Sequence, residues 1–140
     1  MFDQGALPVL ERVLQFTRQR HRVIANNIAN ISTPHYKAQD LPVAEFSALL
    51  QRGIARRQDH PGERFRLDSG FDVRETSDGR LEITRLAFPT TGVLRHDENN
   101  VSVDLEMAKL SRNAILHDAL LQMLRRQFDG IEMAISERVT

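Results

Sequence analysis

Residues 7–31 read LPVLERVLQFTRQRHRVIANNIANI. Within them Leu7, Leu10, Leu14, Thr17, His21, Ile24, Ile28 and Ile31 recur at alternating intervals of three and four. That 3.5-residue period is the signature of a coiled-coil seam, interrupted only by the polar Thr17 and His21. Pro8 falls where a first helical turn accepts proline, and Pro34 bars the α conformation at Thr33, so a helix is expected to stop near Ser32. Such a helix would be about 37 Å long at ~1.5 Å per residue.

A second, longer seam closes the chain through Val103, Met107, Leu110, Ala114, His117, Leu121, Leu124, Phe128, Ile131 and Ile135. Ser102 is a candidate N-cap, Asp104 and Glu106 suit the positive end of the helix dipole, and Arg125 and Arg126 lie toward its negative end. Leu116, Leu120 and Met123 widen the apolar surface beside the seam, which suggests more than one partner. The expected class is mainly α: two long terminal heptad helices forming a coiled-coil core. Three segments are expected, 1–37 and 101–140 contributing that core and 38–100 connecting them.

The connecting segment has a different texture. Asp40–Leu50 reads as a short helix using Phe46, Leu49 and Leu50, and the polar, arginine-rich stretch from Gly53 to Gly70 as a mobile loop. Phe71, Val73, Leu81 and Ile83 alternate on either side of Asp78-Gly79, a hairpin signal. Two strands are marginal in water, so the hairpin must rest on another element.

Composition removes several kinds of function. The 140 residues carry 19 basic and 19 acidic side chains, giving no net field to gather a nucleic acid. Cysteine is absent, which excludes disulfides, thiolate metal sites and a cysteine nucleophile. His21, His35, His60, His96 and His117 show no metal-ligand spacing and lie in no nucleophile motif, so neither an enzyme, a metal site, a cofactor nor a small-molecule substrate is expected. Arg52, Arg56, Arg57, Arg64 and Arg66 are interrupted by Asp59 and Glu63 and read as a solvated loop. No apolar run is long enough to span a bilayer, and the start MFDQGALPVLER lacks a cleavable-signal pattern, which by ordinary rules describes a cytoplasmic chain.

Asn26, Asn27 and Asn30 crowd the last turns of the first helix, where asparagine has low propensity and serves by bonding backbone. The stretch ANNIANISTPHYK, residues 25–37, resembles the N-terminal motif of the bacterial flagellar axial proteins of rod and hook, whose usual form is SNNIANxxTPGYK. Residues 99–110 and 119–135 are similar to the C-terminal helix of the proximal-rod branch of that family. The resemblance implies a structural subunit without an active site, built into a tubular drive shaft by its terminal helices. It implies as partners further copies, other rod proteins, the adaptor joining rod to membrane ring, and the flagellar type III export apparatus. Export by that apparatus without cleavage accounts for the missing signal and implies a place in the periplasm-spanning rod.

On the same footing, Asn26, Asn27, Ile28, Asn30, Thr33, Pro34, Tyr36 and Lys37 are motif and interface residues, and spare asparagine amides would bond a neighbouring subunit. Phe2 is a candidate export contact. His35 replaces the family's glycine, so its turn is either compatible with ordinary backbone angles or strained. An antiparallel pairing that matches Leu7 with Ile131, Leu10 with Phe128 and Ile28 with Leu110 would set His21 against His117. A seam met only by other subunits would leave the isolated chain poorly helical. The alternatives are a second proximal-rod type, which usually interrupts the segment before its Tyr-Lys pair, and a cytoplasmic helical-hairpin adaptor or export chaperone, for which heptads alone would suffice.

Overall fold

Helices from the two ends of the chain lie side by side, and the segment between them folds back onto the first. The structure, a computed structural model, describes residues 5–89, 99 and 101–136. Its elements in order are α1 (Leu7–Ala29), α2 (Val43–Asp59), β1 (Val73–Glu75), β2 (Leu81–Ile83) and α3 (Val103–Ser136). Phe2 and His96 lie outside the described residues. The protein is mainly helical, with α1 and α3 as its most extensive contact.

The first helix ends at Ala29, earlier than the proline rule predicts. An amide intervenes: Asn30 caps the helix, its backbone N–H reaching the carbonyls of both Asn26 and Asn27 at 3.2 Å. Its side-chain Nδ2 donates to the Asn26 carbonyl at 2.9 Å. The carbonyls of Asn30, Ile31 and Thr33 are all taken by Nδ2 of the fully buried Asn99, at 3.2, 3.1 and 2.8 Å. Carbonyls gathered around one donor cannot continue a helical ladder.

The connecting segment departs most from expectation. The helix expected over Asp40–Leu50 runs on to Asp59, so the first part of the supposed mobile loop is helical, as suits the good helix formers Gln51, Arg52, Ala55, Arg56 and Arg57. Gly53 lies within this helix, and its missing side chain makes room for the Phe65 ring, which an added Cβ would meet at 3.0 Å. The rest of that stretch supplies Phe65 and Leu67 to a core with Phe16, Leu41, Phe46, Leu49, Val73 and Leu81. Phe16 and Phe46 stack with ring centres 4.0 Å apart, joining α1 to α2. Each such buried side chain contributes about 1.5–3 kcal/mol of transfer free energy.

The hairpin forms with Val73 opposite Ile83 and Glu75 opposite Leu81. Its turn closes on Gly79, whose φ of 82° suits glycine. The required support is α1. Gln15 donates to the Gly79 carbonyl at 3.1 Å and accepts from the Leu81 N–H at 2.8 Å, and Gln19 donates to the Leu81 carbonyl at 3.1 Å. Two glutamines thus occupy the free edge of β2, where a neighbouring strand would otherwise pair. Buried Arg12 pairs with buried Glu75 at 3.0 Å, and Arg20 grips Asp40 through two bonds of 2.8 and 2.7 Å.

One helix therefore serves two faces. Val9, Val13, Phe16 and Val23 pack toward the module made by α2 and the hairpin, whereas Thr17 and Asn27 bond α3. The expectation of a poorly helical isolated chain assumed seams partnered only from outside, but α1 finds both partners within the chain.

Candidate assembly interface

The helix pair is antiparallel, since low α1 numbers meet high α3 numbers. Asn27 donates to Glu106 at 2.8 Å, while Thr17 Oγ1 lies 2.8 Å from His117 Nδ1 and the Thr17 carbonyl accepts from Asn113 at 2.8 Å. His117 thus meets Thr17, one turn before His21, and the pairing of Leu7 with Ile131, Leu10 with Phe128 and Ile28 with Leu110 is displaced by one turn. The apolar match was outweighed by polar groups that must be paired once buried. His21 and His117 do line one groove of about 310 Å3 with Arg18, Arg22, Ala114 and Asp118.

The polar layer is deeply enclosed: Thr17, Asn27, Glu106 and Asn113 are each at most 3% exposed. Both hydrogens of the Asn27 amide are used, on Glu106 and on the Gln39 carbonyl at 2.7 Å. Its oxygen accepts from the Gln39 N–H at 3.0 Å and the Tyr36 hydroxyl at 3.1 Å. With all four positions filled, Asn27 has no spare amide for a neighbour, contrary to expectation. Burial pushes the Tyr36 phenol up, while the bond from Asn26 Nδ2 opposes that shift. The other Glu106 oxygen accepts from Lys109 at 2.7 Å.

Around this centre Asn26, Thr33 and Pro34 are exposed, and Ile28, Asn30, Tyr36 and Lys37 half-buried. Asn30 accepts from Thr33 Oγ1 at 3.1 Å, so the asparagines tie the turn that follows the helix. His35 sits at φ 61°, the strained alternative. Among seam residues Leu7, Leu10 and Ile24 are buried, and Leu14, Ile31, Leu110, Leu121, Leu124 and Ile131 half-buried. Met107, Phe128 and Ile135 are 49, 48 and 59% exposed. Met107 follows Glu106 and so points ~100° away round the helix. Phe128 and Ile135 share the Glu106 side but have outrun α1: with His117 beside Thr17, Leu7 falls opposite Gln127 (17 − 10 and 117 + 10).

Among the described residues, nine of the thirteen large exposed apolar side chains belong to α3, which is buried at only Glu106, Asn113 and Leu120. Leu105, Leu116 and Met123 form one exposed stripe, and the overhang from Phe128 onward a second surface. Exposed apolar surface of this kind makes α3 the candidate interaction face among the described residues. No group of three or more His, Asp or Glu residues able to hold a metal occurs among the described residues.

Several decisive residues escaped the sequence reading. Val9, Val13, Phe16 and Val23 make a second heptad stripe with Arg20 and Asn27, a signal that was present but overshadowed by the first. Asn99, Glu106 and Asn113 carried no signal in the seam pattern, because burial of a polar side chain depends on a partner far along the chain.

The sequence model described as "Flagella basal body rod protein" matches residues 9–37, covering the buried face of α1 and its asparagine turn. The chain is 29% identical over 132 residues to the flagellar basal body rod protein FlgB of Bacillus subtilis, covering 94% of each. It is 26% identical over 134 residues to FlgB of Salmonella typhimurium, covering 91% of this chain and 90% of that one. For FlgB of Escherichia coli the identity is 28% over 137 residues, with 91 and 90% covered.

Proposed function

We propose that the chain is a member of the flagellar basal body rod protein family, in its FlgB group, and a structural subunit of the proximal rod. In this reading residues 1–37 and 101–140 form the shared inner core, and 38–100 an outer segment carried on α1. Copies and related rod subunits stack through the exposed faces of α3, transmit torque and enclose the export channel. The adaptor that joins rod to membrane ring and the type III export apparatus are further partners, and the chain reaches the periplasm-spanning rod without cleavage of a signal. A subunit of this kind performs no catalysis.

The observation that carries the proposal is the unburied apolar surface of α3 beside a completed α1. A single copy cannot cover it, and a heterologous contact between such copies does not close on itself, so it builds a tube. Removing residues 129–140, or replacing Phe128, Ile131 and Ile135 together by serine, should leave expression and export intact while abolishing motility and the recovery of rods in purified basal bodies. Full motility in both variants would overturn the assembly role of α3.

A further inference from the structure

Polar groups buried within an apolar helix seam are costly, and their best-attested use is to select one register among near-equivalent alternatives. Here such an alternative exists. Sliding α3 by one turn brings Leu7 to Ile131, Leu10 to Phe128 and Ile28 to Leu110, an apolar match broken only where Thr17 meets Leu121 and His21 meets His117, and it also shortens the overhang by about 6 Å. The structure adopts the other register, the one in which Asn27 bonds Glu106 and Thr17 bonds His117.

We propose that Asn27–Glu106 and Thr17–His117 are a register lock, positioning residues that hold α3 one turn away from its best apolar alignment and so fix the length of the overhang. In the slipped register Glu106 falls opposite Ser32 (27 + 5 and 106 on the 138 sum of Leu7 and Ile131), beyond the end of α1 at Ala29. The carboxylate then loses the Asn27 amide, and His117 faces a second imidazole instead of a hydroxyl. Asn113 does not discriminate, because its partner is a main-chain carbonyl that every α1 residue offers. The overhang's use in assembly rests on the rod-subunit reading; the lock itself does not.

The chain has no cysteine, so two introduced thiols are its only ones. In the full-length protein Leu10→Cys with Leu124→Cys reports the observed register (17 − 7 and 117 + 7), and Leu10→Cys with Phe128→Cys the slipped one. Under mild oxidation at high dilution the first pair should close at least about tenfold faster, since a one-turn displacement takes cysteine Cα atoms out of disulfide reach. In the background Asn27→Leu, Glu106→Leu, Thr17→Val, His117→Leu the ratio should fall to about one or invert. Glu106→Gln, which keeps an acceptor for Asn27, should retain the parent ratio. A fourfold variant that keeps the tenfold preference overturns the lock. If that variant does not fold, Asn27→Leu with Glu106→Leu decides by the same ratio. Crosslinking reads the register without assembly, so its outcome is independent of the motility test of the rod reading.

Discussion

The module of α2 and the hairpin and the outer part of α3 both carry large apolar side chains, yet they end in opposite states. In the module Phe46, Leu49, Phe65, Val73 and Leu81 are all at most 6% exposed. On α3 Ile115, Met133 and Ile135 are at least 59% exposed. The module meets α1 along a face that also offers Gln15 and Gln19 to its backbone and Arg20 to the carboxylate of Asp40, so the contact is made inside one chain. The overhang has the apolar residues without the facing helix. A region with its partner in the same chain should resist substitution poorly in stability measurements. A region whose partner is elsewhere should show its losses only when that partner is present.

The sharpest break is in the module. Phe46→Ala removes the ring stacked on Phe16 and should cost about 3–5 kcal/mol in urea denaturation, with hydrogen exchange in the hairpin accelerating in step. An unchanged midpoint would mean that the module is not seated on α1 through this pair. Gly79→Ala acts on the same junction more gently. Its φ is 82° and an added Cβ would lie 2.8 Å from Arg12 Nη2, so a loss of about 1–3 kcal/mol is expected, with the Arg12–Glu75 pair displaced.

On the helix pair, relief is available instead of damage. His35 holds a left-handed conformation that costs a non-glycine residue about 1–2 kcal/mol, part of which glycine returns through its more flexible unfolded chain. His35→Gly should therefore raise stability by about 0.5–1 kcal/mol, and a drop would show that the contacts of the imidazole outweigh the strain. The smallest effect on the isolated chain is expected at the overhang: Ile135→Ser should change its stability by no more than about 0.5 kcal/mol. The same substitution should measurably reduce rod recovery. A large loss of stability in the free chain would place a partner for Ile135 within it and erase the contrast between the two regions.

Much of this fold is legible as a one-dimensional pattern. The heptads of Leu7–Ile31 and Val103–Ile135 specify two long amphipathic helices, because periodic burial along a helix leaves a periodic trace in sequence. Asp78-Gly79 between alternating residues specifies the hairpin turn for the same local reason. The asparagine-rich stretch of residues 25–37 carries the resemblance to the flagellar axial proteins, and its His35 left two turn geometries open, of which the structure adopts the left-handed one. The extent of α2 was obscured by Gly53, whose weak helical preference is overridden in the packed helix, and by a polar composition that resembles a loop although its arginines are good helix formers.

What the tertiary structure alone decided is which stripes meet and at what level. The apolar residues of α1 and α3 are compatible with two registers one turn apart, and nothing in their spacing separates them. The choice follows from Asn27, Glu106, Thr17 and His117, because a buried polar atom must find a partner and that partner is dozens of residues away. The free edge of β2 was likewise closed by Gln15 and Gln19, side chains that read as solvent-facing until α1 and the hairpin come together. Periodicity fixes which side of a helix is apolar; only three-dimensional pairing fixes what lies against it.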